Sequence, residues 1–342
     1  MKQKYKYLFN LAKYFDNIVT LMNTFKLFLR SLLNNNACVD GGRKKPWYLA
    51  VIMFFLSIAV ALVPTLALSL KEKPHKNFEG TTYGCREAFT AFSEELNKPE
   101  YAESMYVIKG AEKKDRLLVG GTFTEFDHVN QTLTTDEEHP YVDFKFVYDQ
   151  TIDNAKYAVL KSEKKSIVYF SKDTVMIHIV NPVNGEDLLD INCANAYKNF
   201  DEGFKFSSSY KVNAENLTAT INDTWGMWLD NIDNLNNATR IRTTWVKVGL
   251  FAGIDGAIAI IMALMIWILT RGKRNPYKDM VNMWQAFKIT SWTMVAPGIL
   301  ALGLGFLLRN FSTAMFPLLL GIRAMWLSMK SLRPDGTGYA AN

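Results

Sequence analysis

Four apolar runs, each long enough to cross a bilayer as a helix, constrain this chain more than any other feature. They are Trp47 to Leu70, about Trp245 to Leu269, Ile289 to Leu308 and Phe311 to Met329. About 20 residues rising about 1.5 Å each make roughly 30 Å, the thickness of a hydrocarbon core. The first run has a faint cleavage-like Thr65-Leu66-Ala67. It is expected to be a retained anchor, because 46 residues precede it and it exceeds an ordinary signal-peptide core.

Charge orders these runs. The net charge of +6 hides an asymmetry: residues 71–244 hold 20 Lys+Arg against 28 Asp+Glu, and the remainder holds 19 against 5. The bases flank apolar runs, which is the positive-inside pattern of a membrane protein, and no nucleic-acid partner is expected. Residues 1–46 carry nine bases and two acids. RGKRNPYK (271–278) follows the second run, and Lys330 and Arg333 close the fourth. All basic clusters then lie on one side. The expected architecture is a multi-pass α-helical protein of the cell membrane with both termini in the cytosol and an inserted extracytoplasmic α+β domain.

The expected divisions are a cytosolic segment 1–46, a first span 47–70, the external domain 71–244 and a second span 245–270. A cytosolic loop 271–287, a third span 288–309, a fourth span 311–330 and a tail 331–342 complete the chain. In the first segment Leu8, Leu11, Phe15, Ile18, Met22, Phe25, Leu29 and Leu32 recur three and four apart, which predicts a helix. The stripe is wide and lacks paired charges at its edges, which favours an amphipathic helix in the bilayer interface over a dimerising coiled coil. NNNACVDGGRKKP (34–46) reads as a turn or linker.

In the external domain GCREAFTAFSEEL (84–96) sets Ala88, Phe89, Phe92 and Leu96 at helical spacing. The segments 104–108, 116–126, 141–149, 166–170 and 174–180 read as strands from β-branched and aromatic content, with Ser171-Lys172-Asp173 as a hairpin connection. Asn184-Gly185 supplies a turn. Residues 185–200 look helical through Leu188, Ile191 and Ala194, and 222–248 predicts a helix running into the second span. Asn130, Asn216, Asn222 and Asn237 open Asn-x-Thr sequons.

No catalytic, metal or cofactor pattern is present. His128, His139 and His178 have no metal-ligand spacing, and Gly120-Gly121 reads as a bulge or turn. His178 alternates within a strand and reads as a satisfied, partly buried residue. Cys38 falls on the cytosolic side, and Cys85 and Cys193 fall outside. A disulfide between the latter two would add about 4–5 kcal/mol in the chain-entropy model; two buried thiols are the alternative.

Order of features supplies a resemblance. MNTFKLFLRSLLN (22–34), SIVYFSKDTVMIHIV (166–180) and YKDMVNMWQAFKITSWTMVAPGIL (277–300) occur in that order. The layout resembles a bacterial membrane family loosely described as maltodextrin-utilisation proteins, MalA-like. The resemblance implies a cell-membrane location and association with sugar-transport systems, and implies no catalytic residue. Residues 1–21 and the linker 34–46 depart from it.

Two charges lie well inside the spans, Asp255 and Arg323, at similar depth by helical rise. A lone carboxylate in hydrocarbon costs several kcal/mol, so an Asp255–Arg323 pair is expected to fix the bundle; Arg323 snorkelling to the cytosol is the rival. Gly249, Gly253 and Gly256 offer small faces for close helix approach, as do Ala301 and Gly305. Pro297 and Pro317 are expected to kink the third and fourth spans. Two classes of function remain. The first is a non-enzymatic accessory or scaffold protein that binds a membrane-protein partner, a ligand or its own copy. The second is a small transporter or sensor using Asp255 and Arg323.

Overall fold

The structure is a computed structural model. It describes residues 22–73, 84–98, 106–107, 125–128, 143–149, 154–162, 166–171, 174–181, 185–200, 204–205, 216–272, 275–333 and 337–339. The stripe from Leu8 to Ile18, Gly120-Gly121, His139 and the sequon at Asn130 fall outside the described residues. The chain divides into two compact units, Met1–Lys71 with Thr244–Asn342, and Glu72–Thr243.

The first unit is helical. Its elements are α1 (22–33), α2 (Asn35–Lys44) and α3 (Trp47–Lys71). Much of the second unit then intervenes, containing α4 (Cys85–Leu96) and α5 (Asn154–Ser162). Next come the second half of α6 (Leu217–Leu269), then α7 (Met283–Thr293), α8 (Val295–Leu307) and α9 (Ser312–Lys330). Among the described residues four stretches are long and apolar enough to cross a membrane: Trp47–Lys71, Ala219–Leu269, Met283–Leu307 and Arg309–Lys330.

Missing side chains set how closely these helices approach. A Cβ at Gly298 of α8 would lie 2.8 Å from the Ser57 carbonyl oxygen of α3, and one at Gly305 would lie 2.9 Å from the Pro64 ring. The small-residue face on the third run is thus packed, with Ala301 fully buried. Pro297 stands in the first turn of α8, where its missing N–H leaves the Thr293 carbonyl without a helical donor, and the run is interrupted at Met294. Pro317 sits within α9, which continues unbroken from Ser312 to Lys330. Buried hydroxyls of Thr290, Ser291 and Thr293 donate to the carbonyls of Ala286, Phe287 and Ile289, satisfying themselves within α7.

Within 34–46, expected as a turn or linker, Asn35–Lys44 instead form α2. The Asn34 side chain accepts from the Asn36 N–H at 2.8 Å, and Arg43 and Lys44 occupy the last turn. The Gly-Gly pair is a packing device here. A side chain at Gly41 would collide with the Trp292 ring, and one at Gly42 would lie 2.7 Å from the Ile289 backbone nitrogen. The gain from seating α2 on α7 offsets the low helix propensity of two glycines.

The second unit holds a five-stranded sheet ordered β2-β3-β4-β5-β6. Its strands are β2 (Glu125–His128), β3 (Phe144–Tyr148), β4 (Ser166–Phe170), β5 (Thr174–Val180) and β6 (Asp187–Ala194). A separate two-stranded pair joins β1 (Tyr106–Val107) to β7 (Phe204–Lys205). β3 and β4 are parallel, and α5 is the crossover that parallel neighbours require; the other neighbours are antiparallel. Ser171 and Thr174 close the β4–β5 hairpin with an N–H to carbonyl bond of 2.8 Å. Gly185 takes φ 73 at the turn into β6.

The stretch 185–200, expected as a helix, is β6 followed by a 3₁₀ turn at Ala196–Asn199. Leu188, Ile191 and Ala194 fit a helical period, but Ile191 and Cys193 are the buried alternation that matters. β5 is buried along its whole length, and its second edge requires a partner. Asn195 at φ 52 ends the strand.

One sheet face packs against α4 and the first turns of α6. Phe92 stacks on Phe146 at 4.1 Å between ring centroids, and Trp228 donates from Nε1 to the Ser93 hydroxyl at 2.6 Å. Ala88, Phe89, Phe92 and Leu96 are all buried in this core, on the α4 face expected from their spacing. Cys85 and Cys193 belong to the same core and are not joined to each other; of the two alternatives, a disulfide or two buried thiols, the structure has the thiols. Cys193 Sγ lies 3.7 Å from the Asn236 side-chain oxygen, and burial pushes its thiol up to about 12. Large aromatic side chains already fill this core, so its cohesion does not depend on a cross-link.

Candidate functional site

Asp255 lies on α6 and is 1% exposed. The next residue, Gly256, would place a Cβ 3.6 Å from Phe54 Cζ and 3.9 Å from Ile58 Cδ1 of α3. Asp255 Oδ1 has no hydrogen-bond partner among the described residues.

Arg323 does not pair with Asp255. From α9 its guanidinium donates to the Leu32 carbonyl at 2.6 Å and to the Ser31 carbonyl, the last turn of α1. It also lies 3.7 Å from Cys38 Sγ. A helix C-terminus leaves carbonyls without donors and carries partial negative charge, so a guanidinium fork satisfies it on both counts. The expected pairing fails because Arg323 is long enough to reach α1. The stripe ending at Leu32 and the turn-like 34–46 marked the end of α1, but nothing in the sequence placed that end beside α9. Burial pushes the Cys38 thiol up, and nearby Arg323 offsets part of that rise.

The three glycines singled out on the second span divide. Gly256 packs against α3, whereas Gly249 and Gly253 have nothing within 4 Å of an added Cβ. Among the described residues they do not serve close approach. Leu250, Ile254, Ile260, Ile261, Met265 and Ile268 on the same helix are also exposed. Lys288, 7% exposed on α7, is a buried charge missed because it stands just before the apolar run.

In the sheet unit, His178 is fully buried beneath α5. Neither ring nitrogen makes a hydrogen bond among the described residues, so it is not the satisfied residue its strand position implied. Nε2 lies 3.4 Å from Asp187 Oδ1, and Lys161 of α5 reaches Asp190 at 2.8 Å and Asp187 at 3.6 Å. Burial lowers the His178 pKa and Lys161 lowers it further, against the opposing pull of Asp187 and Asp190. The unfolded chain therefore takes up this proton first. Stability from the neutral imidazole is present above about pH 6.5 and is lost as pH falls from there toward the depressed folded value. Denaturation followed through Trp225 and Trp228 should show a decline between pH 7 and pH 5 of at most about 1.4 kcal/mol per pH unit. In His178→Gln that slope should flatten. An unchanged slope in the variant would assign the decline elsewhere.

Among the described residues no three of His, Cys, Asp and Glu gather to hold a metal ion. What fold and site define is a mostly helical protein with four membrane-length apolar helices and a separate five-stranded sheet unit. No family model, curated protein or solved structure matches the chain.

Proposed function

We propose that the chain is a non-enzymatic integral membrane accessory protein, with both termini in the cytosol, that docks a partner's membrane helix. The carrying observation is the open face of α6, where Gly249 and Gly253 have nothing within 4 Å of an added Cβ. Gly298 and Gly305, by contrast, are occupied by α3. Small residues at four-residue spacing permit backbone approach between helices in lipid, and this pair faces outward. The extracytoplasmic sheet unit binds that same partner or a ligand. The family resemblance adds a sugar-transport system as the class of complex.

Purification of the full chain in mild detergent tests this. A stoichiometric membrane protein should accompany the wild type, and Gly253→Leu should remove it without lowering thermal stability, because among the described residues nothing lies within 4 Å of an added Cβ there. Retention of the companion by Gly253→Leu would refute docking through α6. Asp255 favours a second reading, a proton- or substrate-linked role, because Oδ1 is buried without a partner among the described residues. Asp255→Asn should then abolish a pH-driven uptake signal in proteoliposomes while the companion is still recovered.

A further inference from the structure

Helix α1 has two apolar faces, and the described residues of the fold cover only one. Thr24, Leu27, Phe28, Ser31 and Leu32 turn toward the bundle, with Leu27, Phe28 and Leu32 packed on its core. Met22, Phe25, Leu29 and Leu33 recur at spacings of three and four on the opposite side and are exposed. Lys26 and Arg30, one turn apart and exposed, flank that second stripe.

The helix is held in place. Arg323 caps its last turn, and Lys45 Nζ donates to the Thr24 hydroxyl at 2.9 Å. Its position along the bundle is also defined. The core it joins gathers Met53 near the start of α3, Ile266 near the end of α6, Trp292 of α7 and Leu327 near the end of α9. The same end carries exposed Trp47, Tyr48, Trp284 and Trp326. There Arg271 lies over the Trp267 ring at 5.2 Å and Lys330 over Trp326 at 5.3 Å. Tryptophan and tyrosine beside basic residues at the ends of apolar helices mark the headgroup level of a bilayer.

We infer that the exposed stripe of α1 lies in the headgroup boundary of the cytosolic leaflet, where Lys26 and Arg30 engage anionic lipid. The inference rests on the membrane-spanning reading above. An apolar stripe edged by cations fits this boundary: the apolar side chains enter the acyl edge and the cations meet phosphate. The docked face makes α1 a brace, one side fixed to the bundle and the other to the leaflet.

The test places an environment-sensitive fluorophore on Leu29→Cys in the full chain, the native cysteines being buried. The protein is reconstituted in phosphatidylcholine vesicles with and without phosphatidylglycerol. Spin-labelled lipids carrying the quencher near the headgroup should quench the probe strongly in the anionic vesicles. Lys26→Glu with Arg30→Glu should lower the ratio of embedded to water-facing helix by about five-fold per charge there, with little change in neutral vesicles. Quenching by aqueous iodide in both vesicle types would overturn the inference. So would protection from both quenchers, the sign of a second copy or another protein on the stripe. A companion probe at Ile261→Cys, on exposed α6, separates the two readings. If deep-labelled lipids fail to quench that probe, the spanning reading itself fails.

Discussion

Gly298→Ala should destabilise the helical unit by about 2–3 kcal/mol, the upper part of the range for overpacking. An added Cβ would stand 2.8 Å from the Ser57 carbonyl oxygen, 3.3 Å from its Cα and 3.4 Å from its carbonyl carbon. All three are backbone atoms, so no rotamer change relieves the collision and α3 must separate from α8. That separation also disturbs the seat of Pro64 against Gly305. Thermal unfolding in detergent, followed by near-UV circular dichroism, measures the loss. Gly303→Ala, five residues along the same helix with nothing within 4 Å, is the control. It should be neutral or slightly stabilising, because alanine is the better helix former. Equal effects at the two positions would show that α3 and α8 do not meet as described.

Arg323→Leu should open the corner between α1 and α2. Charge-assisted hydrogen bonds contribute about 1.5–3 kcal/mol each. Two of them end on the Ser31 and Leu32 carbonyls. Cys38, fully buried beside the guanidinium, reports the opening. Its maleimide labelling should accelerate by about ten- to a hundred-fold, the factor for a local loss of roughly 1.4–2.8 kcal/mol. Arg323→Lys should give an intermediate rate, since one ammonium cannot reproduce a two-pronged fork. Asp255→Asn should leave the rate unchanged. Acceleration by Asp255→Asn equal to that of Arg323→Leu would restore the discarded pairing.

Arg323 has a partner that no single helix's sequence encodes. Depth in a span is a property of one helix, and Asp255 and Arg323 matched on it. Partnership is a property of at least two helices, their rotation and the reach of the side chain. Arg323 met carbonyls far away in sequence, at the end of a helix whose stripe and following linker were legible but whose place against α9 was not. The alternative of Arg323 snorkelling toward the basic end lay nearer the outcome. The guanidinium does run toward the segment that precedes the first span, but it finds protein carbonyls there. Cys85 and Cys193 teach a related point. The sequence placed both thiols in one domain, and the fold placed both in one aromatic core without joining them.

What the sequence determined by itself is set by local composition and period. Four long apolar runs had to become helices, because isolated backbone polar groups are not tolerated among apolar side chains or lipid. The spacing of Ala88, Phe89, Phe92 and Leu96 fixed the buried face of α4, and the β-branched and aromatic content of 166–170 and 174–180 fixed two strands. Tertiary structure decided the rest. Gly41-Gly42 became helix because Trp292 and Ile289 of α7 occupy the space their side chains would need. Residues 187–194 became a strand because β5 left an edge to be paired. Gly249 and Gly253 stayed open while Gly298 and Gly305 closed on α3. In each case local propensity was weak or ambiguous, by about 1 kcal/mol or less per residue. The through-space contact that tipped it came from residues far away in the chain, and no window of neighbouring sequence contains that information.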